Sequence, residues 1–446
     1  MTTCNVGQEI RKTSSASAMP TYEELATRFR PIFKRIGEDA LRREQTRELP
    51  FEAVRWLREA GFGAVRIPLA HGGAGATLPQ LFRLLIELGE ADSNLPQILR
   101  AHFAFVEGRL TNPDRHTQEF WFPKILEGML VGAAMSERTE ATDGTATLKP
   151  ENDRWILEGQ KYYCTGTIFA DWIAAAALDG EDRVSIAFPA SLEGVVREDD
   201  WDGFGQRLTG SGTTKFNRVE IAPEYILRRF SEGDENFDSY IKAFYQLVLL
   251  ATLAGVARAT LRDGIDFVRA RTRAFAIPGK SSPRTDPLVQ RVVGRISSLS
   301  FAADSIVEGA AAALEQVYHA GLASITDEAL YIGAEIKAFQ AQQIVINLVL
   351  EATILLFEVG GASATSLTRS LDRHWRNART VASHNPAIYR ERAIGDYYLN
   401  GQKPDAAWRA LREKLTKGES PTNTTDSVST CDDLSTEFDG KSQTSV

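Results

Sequence analysis

Arg373-His374-Trp375-Arg376-Asn377-Ala378-Arg379-Thr380-Val381-Ala382-Ser383-His384-Asn385-Pro386 is the stretch that decides how the rest of the chain is read. Its first ten residues close a helical segment over 369–382. Pro386 cannot donate to a helix and restricts the residue before it, so Ser383-His384-Asn385-Pro386 reads as a turn. That turn presents an imidazole and a primary amide, and no carboxylate. Beyond Tyr389 the stretch closes on Gly395-Asp396-Tyr397-Tyr398-Leu399-Asn400.

Upstream of the turn, helical periodicity runs in long segments: Phe237–Arg273, Leu288–His319 and Asp327–Val359. Ala302, Ala303, Ile306, Gly309, Ala310 and Ala313 form a face of small residues suited to close helix packing. Before Tyr225 the pattern is different. Leu130–Met135, Trp155–Tyr163, Trp172–Leu178, Val184–Phe188 and Phe216–Ile221 are short, apolar or alternating, and separated by Gly, Asp and Asn, as strands are. Earlier still the chain is helical. Thr21-Tyr22-Glu23-Glu24 and Thr77-Leu78-Pro79-Gln80 are capping-box patterns, and Pro50 and Gly61 bracket a helix between them. The pattern predicts an α+β chain with a helical domain over 20–128, a β domain over 129–229, a helical bundle over 230–412, and disordered tails at 1–19 and 413–446.

Composition is that of a globular chain, with 43% hydrophobic and 25% charged residues among 446. No uninterrupted run of about 18 apolar residues occurs, so no membrane span is expected. Nor is there an apolar signal segment near the start, and a cytoplasmic location is the expectation. Cys4, Cys164 and Cys431 are too few and too scattered for a disulfide framework or a zinc site, and no metal is expected. The net charge is −8; six acids and one base after residue 417 supply −5 of it, leaving −3 for the rest. Without a basic stripe, nucleic acid is not an expected partner.

Four motifs in order make the chain resemble the acyl-CoA dehydrogenase fold family, over roughly residues 21–412. Ser136-Glu137-Arg138-Thr139-Glu140-Ala141-Thr142-Asp143-Gly144 resembles its first flavin-binding signature. Gly159-Gln160-Lys161-Tyr162-Tyr163-Cys164-Thr165-Gly166, followed by Ala170-Asp171, resembles its second, although one residue shorter. Arg271-Thr272-Arg273-Ala274-Phe275 resembles its Arg-x-x-Phe, with Arg271 and Arg273 both open as the phosphate contact. Glu358-Val359-Gly360-Gly361 resembles its Gly-Gly turn, which a plain helix C-cap explains nearly as well. The resemblance implies an N-terminal helical domain, a β-barrel-like middle domain and a C-terminal four-helix bundle, commonly assembled as a homotetramer. It also implies a flavin, FMN or FAD, held by Ser136, Tyr163, Thr165, Arg271, Arg273, Gly360 and Gly361.

Members of that family that oxidise acyl-CoA carry a glutamate base where this chain has the His384 turn. The second known base position, in the first long helix of the bundle, is also empty, because Lys242 to Arg258 contains no acid. The Ser-His-Asn-Pro version is similar to the flavin-dependent monooxygenase branch. By that resemblance, reduced flavin and O2 form a C4a-hydroperoxide in a water-poor pocket, and oxygen passes to sulfur, nitrogen or aromatic carbon of a small organic substrate. His102, His384 and Thr165 are then the candidates for stabilising it and handling protons. Phe103, Phe105, Trp201 and Asn385 are candidates for the substrate pocket. No Gly-x-Gly-x-x-Gly follows a predicted strand, so a separate NAD(P)H:flavin reductase is the expected partner. Two alternatives stay open: an acyl-CoA dehydrogenase or oxidase with another base, such as Asp396, and a flavin-binding protein without turnover.

Overall fold

The computed structural model describes residues 19–137, 146–152, 154–180, 182–230, 239–272, 282–325 and 327–404. The two expected tails, the end of the first signature at 138–144, and Arg273 lie outside the described residues, Met19 excepted.

Five helices come first: α1 (Tyr22–Thr46), α2 (Phe51–Glu59), α3 (Leu78–Ala91), α4 (Asn94–Leu110) and α5 (Arg115–Leu126). Both capping boxes form. The Thr21 hydroxyl accepts from Glu24 N–H and the Thr77 hydroxyl from Gln80 N–H, each with the reciprocal bond. Leu25, Phe29, Phe33 and Ile36 then recur on one face of α1 and are buried. Phe29, Phe33 and Phe62 meet edge to face or stacked, with centroids 5.0–6.2 Å apart.

Among the described residues, the middle of the chain is one sheet of eight strands: β1 (Val131–Ala134), β2 (Thr147–Glu151), β3 (Arg154–Lys161), β4 (Trp172–Asp179), β5 (Asp182–Pro189), β6 (Val195–Arg197), β7 (Thr214–Ile221) and β8 (Ile226–Phe230). Its order is β6-β7-β3-β2-β4-β5-β8, with β1 parallel to β4. β4 shows why its sequence is a run of alanines rather than an alternation. Ile173, Ala175 and Ala177 face the sheet's own apolar filling, while Ala174 joins the helical core on the other side.

The bundle is α6 (Ser239–Arg269), α7 (Pro287–Leu322) and α8 (Glu328–Leu355), packed mutually, with α9 (Arg373–Ala382) against α6 and α8 and α10 (Ala387–Asn400) against α8. Where α6 crosses α3, a Cβ on Gly255 would stand 2.6 Å from the Gly89 backbone, so only glycine permits the crossing. By length and composition α6 and α8 would both pass as membrane spans. The apolar window of α6 is 83% buried inside the fold, which makes it the core helix of the bundle.

Candidate active site

Helix α4 gathers the site. Its first turn holds the loop at 206–212: Gln206 donates to Ser93 Oγ at 3.1 Å, and Leu208 N–H to Asn94 Oδ1 at 3.3 Å. One turn on, the Ile98 carbonyl lies against Gly166, where a Cβ would stand 2.6 Å from that oxygen and φ is +80°. Two residues further, Arg100 Nη2 donates to His384 Nε2 at 2.8 Å. The Thr165–Gly166 turn and the His384 turn therefore reach the same stretch of α4, one from the sheet and one from the bundle.

On the sheet side, Ser136, Tyr163, Thr165 and Trp201 form one patch. Tyr162 N–H donates to the Ser136 carbonyl at 2.9 Å. Tyr163 has φ +59° and is 44% exposed, an unusual display for a large aromatic ring. It meets Tyr162 at 4.7 Å and Trp201 at 6.1 Å. Thr165 is buried and heads a hydroxyl relay. Thr209 donates to the Gln206 carbonyl at 2.9 Å, and the Thr209–Ser211 and Ser211–Thr165 oxygens are each 2.7 Å apart. Each hydroxyl has one proton. With Thr209 donating to Gln206, Ser211 must donate to Thr209 and Thr165 to Ser211, which leaves the free lone pair of Thr165 as an acceptor.

On the bundle side, Asn385 anchors the turn. Its amide donates to Gln246 Oε1 on α6 at 3.0 Å, and its carbonyl accepts from Gln342 on α8 at 2.9 Å. His384 keeps an accessible edge. Crowding by protein atoms, then the Arg100 guanidinium, holds its pKa well below the usual histidine range. Since Nε2 accepts from Arg100, the ring is neutral with its proton on Nδ1.

The ring of His102 is held by backbone on both sides: its Nε2–H donates to the Gly63 carbonyl at 2.9 Å and its Nδ1 accepts from Val131 N–H at 3.3 Å. It is fully buried, and burial lowers its pKa to about 4. Phe103 belongs to the helical core, edge-on to Phe62 at 5.6 Å with no exposed surface. Phe105 packs on Trp121 at 4.8 Å. Arg271 and Gly360–Gly361 do come together, through a 2.8 Å bond from Arg271 Nη1 to the Val359 carbonyl. They stand at the far end of α6, roughly 35 Å along its axis from Gln246, which holds the His384 turn. Asp396, the alternative base, is held by Asn400 at 2.8 Å along α10.

The sequence reading missed Arg100, Ser211, Tyr245 and Gln246. Arg100 carried a signal, a cation inside the apolar run Ile98-Leu99-Arg100-Ala101-His102-Phe103. Ser211 and Gln246 carried none. A cleft of about 990 Å³ opens between α1, α6 and α9 and reaches Ser93, Asn94 and Asn377, which hold the 206–212 loop. It is lined by Asp263, Arg373 and His374, whose carboxylate–imidazole contact is 2.9 Å, and not by His102, Thr165 or His384.

Residues 20–129 match the family described as acyl-CoA dehydrogenase, N-terminal domain, and residues 247–387 the acyl-CoA dehydrogenase, C-terminal domain. The dibenzothiophene monooxygenase of Rhodococcus qingshengii is 26% identical over 364 residues, spanning 78% of this chain and 86% of the relative. The probable FMNH2-dependent monooxygenase SfnC of Pseudomonas putida is 27% identical over 385 residues, spanning 84% and 94%. Methanesulfinate monooxygenase MsuC of Pseudomonas fluorescens superimposes with a TM-score of 0.76 at 25% identity, covering 85% of this chain and 97% of that one.

Proposed function

We propose that this chain, which belongs to the acyl-CoA dehydrogenase superfamily, is a flavin-dependent monooxygenase that uses reduced FMN and O2 to oxygenate a small organic substrate. The carrying observation is the His384 turn. Where acyl-CoA oxidation needs a carboxylate base, a neutral imidazole accepts from Arg100, and the turn is fastened to two bundle helices by Asn385. The similarity to SfnC, named for FMNH2, favours FMN over FAD.

The residues on the sheet side fit a flavin. Tyr163 and Trp201 offer an aromatic wall, and Ser136 a polar strand exit beside it. The Thr165 relay ends in an acceptor, which suits the N–H that a reduced isoalloxazine presents and an oxidised one lacks. When bound, reduced flavin supplies the electrons that activate O2. The protein's share is to orient the ring with Tyr163 and Thr165, keep His384 neutral, and offer its Nδ1 proton as a hydrogen-bond donor.

A separate NAD(P)H:flavin reductase supplies reduced FMN, and the chain works in the cytoplasm as a homotetramer. Leu288, Phe301, Ile344 and Ile354 on α7 and α8 are each at least 50% exposed, which supports burial by neighbouring copies. The test is oxygen incorporation from labelled O2 with chemically reduced FMN and a panel of organosulfur and aromatic compounds. Label in product supports the reading. Reduction of protein-bound oxidised flavin by an acyl-CoA, with no label transferred, would replace it.

A further inference from the structure

Two consecutive residues of α6 hold the two halves of one contact. Tyr245 lies against Arg100, its ring centroid 5.1 Å from the guanidinium carbon. Gln246 accepts from the Asn385 amide at 3.0 Å, and Gln342 on α8 donates to the Asn385 carbonyl at 2.9 Å. Between these fixed partners Arg100 Nη2 meets His384 Nε2 at 2.8 Å. Nothing charged on the neighbouring elements works against that contact. Burial pushes the Tyr245 phenol up, so it stays neutral beside Arg100. The other charged group acting on His384, Arg390 on α10, is also a cation, and it is bonded to Gln246 and Gln342. Burial first, then the Arg100 guanidinium, holds the imidazole low, opposed by the Asn385 side chain.

A guanidinium only donates, and it keeps its charge in proteins. Nε2 of His384 must therefore accept, and the ring's one proton sits on Nδ1. A histidine that shuttles protons has to do more. It must take a proton up at one stage and release one at another, either as imidazolium or by exchange between its two nitrogens. Both routes use Nε2. Protonating Nε2 here would set one N–H against another at 2.8 Å and place a second cation beside Arg100. We propose, on the monooxygenase reading above, that Arg100 is a positioning residue that locks His384 in its neutral Nδ1–H form, so that this histidine serves the reaction as a fixed hydrogen-bond donor and not as a proton shuttle. Arg100 acts through the tautomer it imposes and touches no reacting atom.

The full-length protein, without flavin, is labelled with carbon-13 in the rings of its six histidines and followed by NMR from about pH 8 to about pH 5. The signal that disappears in His384→Gln belongs to His384. Its ring-carbon shifts report which nitrogen carries the proton, and their movement reports titration. The native protein should show the Nδ1–H tautomer and no titration of His384 in this range. Arg100→Met removes donor and charge at similar length. It should raise the His384 midpoint by at least about one pH unit and mix the tautomers. Arg100→Lys restores a donor and a charge and should return both toward native. Circular dichroism checks that each variant is folded, and the native titration needs no variant. A native His384 that titrates near the ordinary value of about 6.5, or carries its proton on Nε2, overturns the proposal. So does a folded Arg100→Met protein with tautomer and midpoint unchanged. The same preparations are then given reduced FMN, labelled O2 and the organosulfur and aromatic panel. The kcat of Arg100→Met relative to native should fall toward the acid end; a ratio independent of pH overturns the donor role. A locked tautomer with no oxygen transferred would remove the monooxygenase reading and leave the lock. Oxygen transfer by a protein whose His384 titrates would do the reverse.

Discussion

At the residue scale, His102 and Thr165 illustrate opposite uses of a buried polar group. His102 ties the Gly63 carbonyl to the Val131 amide, and loss of both partners at a site with no exposed surface should cost His102→Ala about 3 kcal/mol. Chemical denaturation would measure it; a loss under half a kcal/mol would refute the bracing role. The same residue has a pH signature. Its folded pKa, about 4, lies below the ordinary 6.5, so the unfolded chain binds a proton that the folded chain refuses. Stability is therefore full above pH 6.5 and falls as pH drops toward about 4. His102→Gln should flatten that decline, though His374 and His384, also held low, will keep part of it. Thr165, by contrast, is buried with an unused lone pair. Thr165→Val should weaken reduced FMN roughly tenfold and oxidised FMN little, which lowers the bound flavin's potential by about 30 mV. An unchanged potential would contradict the relay's direction.

At the element scale, the junction depends on α4 touching a glycine and on two glutamines touching a turn. Gly166→Ala places a Cβ against the Ile98 carbonyl at a left-handed φ. It should cost about 2–3 kcal/mol and lower the melting temperature by several degrees. Gln246→Ala should leave FMN affinity intact while reducing kcat, because the His384 turn loses its tie to α6; a fall in FMN affinity with normal kcat would be the opposite result. The elements themselves were largely legible. The two capping boxes, the β4 alanine run and the three long bundle helices all carry local period or cap signals. β2, β6 and β8 were not, because Thr147–Glu151 is polar, Val195–Arg197 is three residues long, and Ile226–Phe230 contains two arginines. α10 was missed because its face against α8 carries no fully buried residue, so apolar periodicity is weak.

At the scale of the whole molecule, the order of helical block, sheet and bundle was readable because each block changes hydrophobic period at its boundary. The site was readable only in part. Motif resemblance named Thr165, Tyr163 and His384, which the fold brings to the two sides of α4. It could not reveal that His102 would be consumed by backbone, since that depends on Gly63, 39 residues away. The exposed apolar side chains of α7 and α8 have a quaternary consequence. Light scattering should therefore give a tetramer, and Phe301→Glu on α7 should dissociate it; a monomeric native protein would contradict that assembly. The central claim, that the junction of sheet, α4 and the His384 turn governs the meeting of reduced flavin with oxygen, has a direct test. The protein with chemically reduced FMN is mixed rapidly with oxygenated buffer, and the return of oxidised-flavin absorbance is followed. The account predicts a delayed return relative to free reduced FMN, with Thr165→Val and His384→Ala shortening the delay. Reoxidation as fast as that of the free cofactor, unchanged by either substitution, would contradict it.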